Sequence, residues 1–319
     1  MLQFVKEGIS HYDTFVTEII NLVRQRMGED YDIKIYKVTK NNALELDSLI
    51  MLRKDKNFSP NIYLLPYYEE YIMGAKIKEL AEKLCHTYLN YQLPIMSESF
   101  SYRFEDVKDF IVYRLVNFQR NKKLLEKIPH IKYLDMAITF HSLVRQDNDG
   151  IGTIRITNEH MRAWETTLKE LYHRAADNTG RIFPPSIQSM EDMILGMLKE
   201  DIMDCNQDEQ SETIIKDIIE HQNSDRKKIY ILTNQKGING ATCLLYENVL
   251  KNFANQIQCD LFILPSSIHE VLMIPYDRTM TRELLSEMVR DVNHTQVARD
   301  EILSDSVYLY SRRNNTLTM

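Results

Sequence analysis

At roughly 150 residues per domain, a chain of 319 residues is long enough for two domains. It is 44% hydrophobic and 27% charged, with 9 Gly and 8 Pro, which gives material for packed cores and too few breakers for a disordered or fibrous chain. The 4 cysteines exclude a disulfide-stapled scaffold, and a net charge of −7 argues against a surface that coats nucleic acid, so composition predicts a soluble, cytoplasmic, globular protein.

In chain order, Lys6, Glu7 and Asp13 interrupt the apolar run that a signal peptide needs, and no window approaches the roughly 18 apolar residues of a membrane span. Val5, Ile9, Tyr12, Val16, Ile19, Val23 and Met27 alternate in steps of three and four, one face of a helix over 4–27. Alternation predicts a strand at 31–39, with further short strands at 46–52 and 61–66. A second helix is expected from Glu69 to Asn90, with Ile77, Leu80, Ala81, Leu84 and Tyr88 inward, and another over 104–121. Residues 134–144 and 151–157 flank the turn-forming QDNDG and read as a hairpin. Asn158 then caps a helix in which Met161, Trp164, Leu168, Leu171 and Ala175 share a stripe, Trp164 acting as a core anchor.

Charge changes next. Between Glu191 and Glu220 there are ten Asp or Glu against Lys199 and Lys216, a local net of −8, so the rest of the chain sums to about +1. The stretch 199–226 is expected to be a mobile connection and a possible docking tract for a protein partner. Beyond it the order strand 227–234, helix 240–257, strand 260–265, strand 269–275, helix 281–292 and strand 306–311 is the βαββαβ of a ferredoxin-like unit over 227–312. Leu284, Leu285, Met288 and Val292 are assigned inward, both helices to one sheet face, and the hairpin-plus-helix unit of 132–176 to the other. The predicted fold class is α+β: a small helix–sheet–helix unit over 1–99, then a composite α+β domain over 100–319 that includes the acidic connection 191–226.

Motifs with chemistry are few. In QDNDGIG the first and twelfth positions of a calcium loop would be Arg145 and Ile156, where carboxylates are required, so the turn reading stands. Cys85, Cys205, Cys243 and Cys259 lie far apart with no zinc spacing, and the position four after His269 is Met273, so no metal or cofactor is expected. Gly237, Gly240 and Ala241 sit where strand turns to helix, an arrangement open to anion binding by backbone amides, although no P-loop Gly-Lys-Ser/Thr follows. Ser266, Ser267, His269 and Glu270 crowd nucleophile, base and carboxylate types together, yet on a strand His269 and Glu270 oppose each other, a poor local triad. Lys227, Lys228, Arg312 and Arg313 near Tyr230, Tyr308 and Tyr310 resemble an RNA-stacking sheet without its consensus, so nucleic acid is not the expected partner.

Several stretches occur together in order: NIYLLPYYEEYIMG, ITNEHMRAWETTLKELYHRAADNT, IYILTNQKGINGATCLLY, ILPSSIHEVLMIP and VNHTQVARDEILSDSVYLYSR. In this the chain resembles a bacterial family of unknown function, domain-of-unknown-function family 5688, over nearly its whole length. The resemblance implies no activity; it points to the loops 234–240 and 266–270 and the segment 293–306. Two readings follow: a non-enzymatic binding, regulatory or accessory protein with a protein partner, preferred because no acid, base or metal set converges, and a hydrolase or small-ligand enzyme using those two loops. In a ferredoxin-like unit these loops are expected at opposite ends of the sheet, which weighs against the enzyme.

Overall fold

The computed structural model describes residues 2–55, 59–90, 102–147, 150–196, 228–265 and 267–319. The chain divides into two compact units, Met1–Met96 and Ser97–Met319. Among the described residues no helix is long and apolar enough to cross a membrane.

The first unit holds α1 (Leu2–Met27), the antiparallel strands β1 (Tyr31–Thr39), β2 (Glu45–Arg53) and β3 (Ile62–Tyr63), and helices α2 (Leu65–Ile72) and α3 (Ile77–Leu89). Phe15, Ile19 and Val23, spaced by four on α1, meet Ile33, Leu49 and Met51 of the sheet and Leu80 and Leu84 of α3 in one buried cluster. Two expectations shift here. The strand at 61–66 shrinks to two residues because Pro66 lies in the first turn of α2 and cannot pair in a sheet interior. The single helix over 69–90 is two, broken at Gly74, whose φ of +104° leaves the helical region.

The second unit opens with the short α4 (Phe104–Val107) and then β4 (Ile111–Asn117), where a continuous helix over 104–121 was expected. Ile111, Val112, Tyr113 and Val116 are β-branched or aromatic, and seven residues of β4 pair with β6 (Met136–Asp147), so sheet pairing prevails. A turn α5 (Lys122–Leu125) leads to β5 (His130–Tyr133), and β6 continues as a hairpin into β7 (Gly150–Arg155). Next come α6 (Asn158–Ala163) and α7 (Leu168–Ile182). Thr157, not Asn158, caps α6, its hydroxyl accepting the His160 N–H at 3.2 Å while the His160 ring accepts the Thr157 N–H. Trp164 sits at the break between the two helices, half-buried against Tyr102, Phe104 and His160, and donates Nε1–H to the Tyr102 carbonyl at 2.8 Å. It closes the rim of the core and does not anchor its centre.

The remaining strands are β8 (Pro185–Ser189), β9 (Tyr230–Asn234), β10 (Leu261–Leu264), β11 (Val271–Pro275), β12 (Tyr308–Ser311) and β13 (Thr316–Thr318); the helices are α8 (Val249–Ile257) and α9 (Arg282–Thr295). They form one six-stranded sheet in the order β13-β12-β10-β11-β9-β8. β9, α8 and β10 make a split βαβ with β11 between the strands, as expected. The second crossover departs from the ferredoxin-like plan: β12 lies beside β10 instead of beside β9, whose outer edge β8 occupies. The faces follow. Leu261 and Ile263 share a core with Leu250 and Phe253 of α8, whereas Phe262 and Leu264 pack against Leu285 and Val289 of α9. Thus α8 and α9 cover opposite faces, not one. Both crossovers step the same way along the sheet from antiparallel strands, so two connections of one hand must place their helices on opposite sides.

The larger core lies between the α8 face of this sheet and the sheet of β4–β7 with α7, joining Ile111, Tyr113 and Leu115 to Phe140, Leu171, Ile263 and Met273. The acidic window is described only at 191–196; the expected mobile connection 199–226 lies outside the described residues.

Candidate functional site

β9 and β11 run antiparallel, with Leu232 opposite Val271. The end of β9 therefore abuts the start of β11, and the loops 234–240 and 267–270 meet, contrary to their expected separation. The Ala241 N–H donates to the Ile268 carbonyl at 3.2 Å, the Asn239 N–H to His269 Nδ1 at 3.3 Å, and the Thr233 hydroxyl to the His269 carbonyl at 2.8 Å. Gly240 permits this approach. A Cβ there would lie 2.1 Å from Thr233 Oγ1 and 2.4 Å from the His269 carbonyl oxygen. A third segment completes the corner: Ser267 bridges Ile302, and the Ile268 N–H donates to the Glu301 carbonyl at 2.9 Å.

The imidazole of His269 stands between two partners. Its Nδ1 accepts a backbone N–H, which leaves the Nε2 proton facing Glu301 Oε1 at 3.5 Å. Ser267 is buried, and its hydroxyl accepts the His269 N–H at 2.9 Å, a local turn bond. Ser267 and His269 are thus joined through main chain, not hydroxyl to ring, and Glu301 rather than Glu270 faces the imidazole. Ser266 lies outside the described residues; Glu270 is half-buried.

The glycine loop uses its own donors. The N–H groups of Gly237, Asn239, Ala241 and Thr242 all donate inside the protein, and Lys236 N–H donates to Asn234 Oδ1. Gly237 serves the turn with φ +64°. Beneath the corner, burial pushes the Cys243 thiol up to about 12, and its Sγ–H donates to the Thr233 carbonyl at 3.1 Å. Among the described residues no three His, Cys, Asp or Glu side chains come together to hold a metal. Tyr308 and Tyr310 are buried, so they offer no stacking surface for bases; Lys227 lies outside the described residues.

A second concavity is an open groove of about 560 Å³ between α8 and the outer strand β8. Ile187, Tyr230, Val249 and Phe253 give it apolar surface, with the Tyr230 and Phe253 rings edge to face at 4.8 Å. The carboxamides of Gln188, Asn252 and Gln256 line it, with Lys228 and Asp192 beside them. The groove did not stand out in the sequence, where Lys228 and Tyr230 were read only as part of the RNA-stacking resemblance, because it is assembled from three elements separated along the chain. Glu301 was equally hidden, since it reaches His269 only through the pairing of 267–268 with 301–302.

The model of the family of unknown function DUF5688 matches residues 12–312. No curated protein and no solved structure matches the chain.

Proposed function

We propose that this chain, which belongs to the DUF5688 family of unknown function, works by binding an extended segment of a protein partner and performs no chemistry of its own. The observation that carries this reading is the groove between β8 and α8. Its volume suits a few residues of peptide. Carboxamides both donate and accept, so Gln188, Asn252 and Gln256 can pair with the N–H and C=O groups of an extended main chain, while Ile187, Tyr230 and Phe253 take up alternate side chains. The corner at His269 supports the same conclusion from the other side. Its hydroxyl closes a turn within its own loop and its imidazole is engaged with the two neighbouring segments, which is the work of a joint.

The test is binding of the full chain to an array of random nine-residue peptides. Saturable binding is expected to a subset of them, and Asn252→Trp, which fills the groove from the exposed side of α8, is expected to weaken it at least tenfold. Binding that is indifferent to Asn252→Trp and Gln256→Arg would overturn the reading.

A further inference from the structure

The sheet of β4–β7 carries polar side chains on the face turned away from the main core. In register, Val112 of β4 lies opposite His141 of β6, which lies opposite Arg155 of β7; Arg114 lies opposite Thr139. Arg114, Thr139, His141, Thr153 and Arg155 therefore share one face over three adjacent strands. Arg114 reaches across β6, and its guanidinium donates to Thr153 Oγ1 at 3.0 Å. His141 Nε2 and Thr139 Oγ1 are 3.3 Å apart. His141 and Thr139 are buried, while Arg114, Thr153 and Arg155 keep partial exposure, so the cluster is reached from the surface.

A guanidinium has five donors, and a buried one is ordinarily matched by a carboxylate. Among the described residues Arg114 has no carboxylate partner; its neighbours are a neutral hydroxyl, an imidazole and a second guanidinium. Arg155 has a further interaction of its own, so the argument rests on Arg114 and His141. Burial, with Arg155 beside it, pushes Arg114 down to about 10, and burial with both arginines holds His141 well below the usual histidine range. The protein thus sets one guanidinium beside a neutral imidazole and two hydroxyls where solvation is poor.

We propose that the Arg114–His141–Thr153 cluster is a binding site for a phosphate group. A tetrahedral oxyanion accepts on several sides at once, which suits the planar fork of Arg114 and the Thr153 hydroxyl, with the one proton that the His141–Thr139 contact leaves over, better than a single carboxylate does. The anion neutralises the charge of Arg114, which has no carboxylate partner among the described residues. This site lies on a different sheet from the β8–α8 groove and stands independently of what the groove binds.

Equilibrium dialysis of the full chain against labelled inorganic phosphate, at constant ionic strength held with chloride, tests it. One phosphate per chain is expected to bind saturably in the millimolar range or tighter, and to raise the thermal midpoint where chloride does not. Arg114→Gln is expected to lose at least tenfold in affinity, while the exposed Lys251→Gln and the groove variant Asn252→Trp retain it. Should Arg114→Gln not fold, Thr153→Val replaces it, since loss of the hydroxyl that steadies the guanidinium is expected to weaken phosphate several-fold. Absence of saturable binding to the unmodified chain, a chloride effect equal to that of phosphate, or affinity unchanged in the folded variants would each overturn the proposal.

Discussion

Gly240 shows how much of the corner depends on one missing side chain. A Cβ would sit within 2.8 Å of Thr233 Oγ1, the His269 carbonyl oxygen and the Asn234 nitrogen, two of them main-chain atoms that cannot swing aside. Gly240→Ala is therefore expected to cost about 3 kcal/mol, at the upper end of overpacking effects. A urea midpoint matching that of the unmodified chain would show that the two loops do not meet. At the same scale, burial raises the phenols of Tyr113, Tyr246 and Tyr308 above their ordinary value of 10.0, with Asp135 adding to the effect at Tyr308, and raises Tyr102 to about 12. A group whose folded pKa is raised contributes stability that is complete below its unfolded pKa and lost as pH climbs above it, because the unfolded chain ionises first. The urea midpoint is expected to be flat approaching about pH 9 and to fall from about pH 10 upward, more gently in Tyr308→Phe. A midpoint unchanged to about pH 11 would contradict the burial of these rings.

The glycines at 237 and 240 were visible in the sequence as a strand-to-helix turn, because turn chemistry is local. Their partner was not. His269 follows them by about thirty residues, and only the antiparallel pairing of β9 with β11 brings it within 3.3 Å of Asn239. Glu301 lies further still along the chain. The cluster at Arg114 left a fainter trace: in LDMAITFHSLV, Thr139 and His141 interrupt an apolar run at every second position, the mark of a second, polar strand face.

At the scale of elements, α9 separates pattern from packing. Leu284, Leu285, Met288 and Val292 gave an apolar stripe, but the buried line is Leu285, Val289 and Asn293, and Leu284, Met288 and Val292 are exposed. The helix carries more apolar residues than its sheet contact uses. Asn293 explains the rotation: its amide donates to the Ser304 carbonyl at 3.0 Å and to Asp305 Oδ1 at 2.7 Å, fixing the segment that leads into β12. A polar residue on the inner line shifted the apparent apolar face by about one position, which periodicity alone cannot correct. Val289→Ala and Leu285→Ala are expected to cost about 1–4 kcal/mol each, whereas Leu284→Ser and Met288→Ser should stay within about 0.5 kcal/mol of the parent. Thermal midpoints of the four variants decide it; a reversed ranking would return the helix to the orientation read from sequence. The strand β4 makes the complementary point. Its apolar residues fit a helix as well as a strand, and pairing with β6, remote in sequence, selects the strand.

For the whole molecule, the α+β class and the order of the six elements from β9 to β12 could be read from the chain, since each depends on local pattern and short connections, whereas the short β13 was missed. The order of strands in the sheet could not. Whether β12 joins beside β9 or beside β10 is decided by β8, which takes the free edge of β9, and by α9 covering the face opposite α8. The same arrangement makes the groove, because β8 extends the sheet beyond the helix that lines it. If the protein binds an extended peptide there, ligand should slow exchange of main-chain amides along β8 and on the near side of α8. Hydrogen exchange of the full chain, with and without a peptide recovered from the array, reads this directly. Protection confined to 185–189 and 249–256 is the predicted result. Protection centred on 236–240 and 267–270 would put the ligand at the His269 corner, contradict the binding account and favour an enzyme.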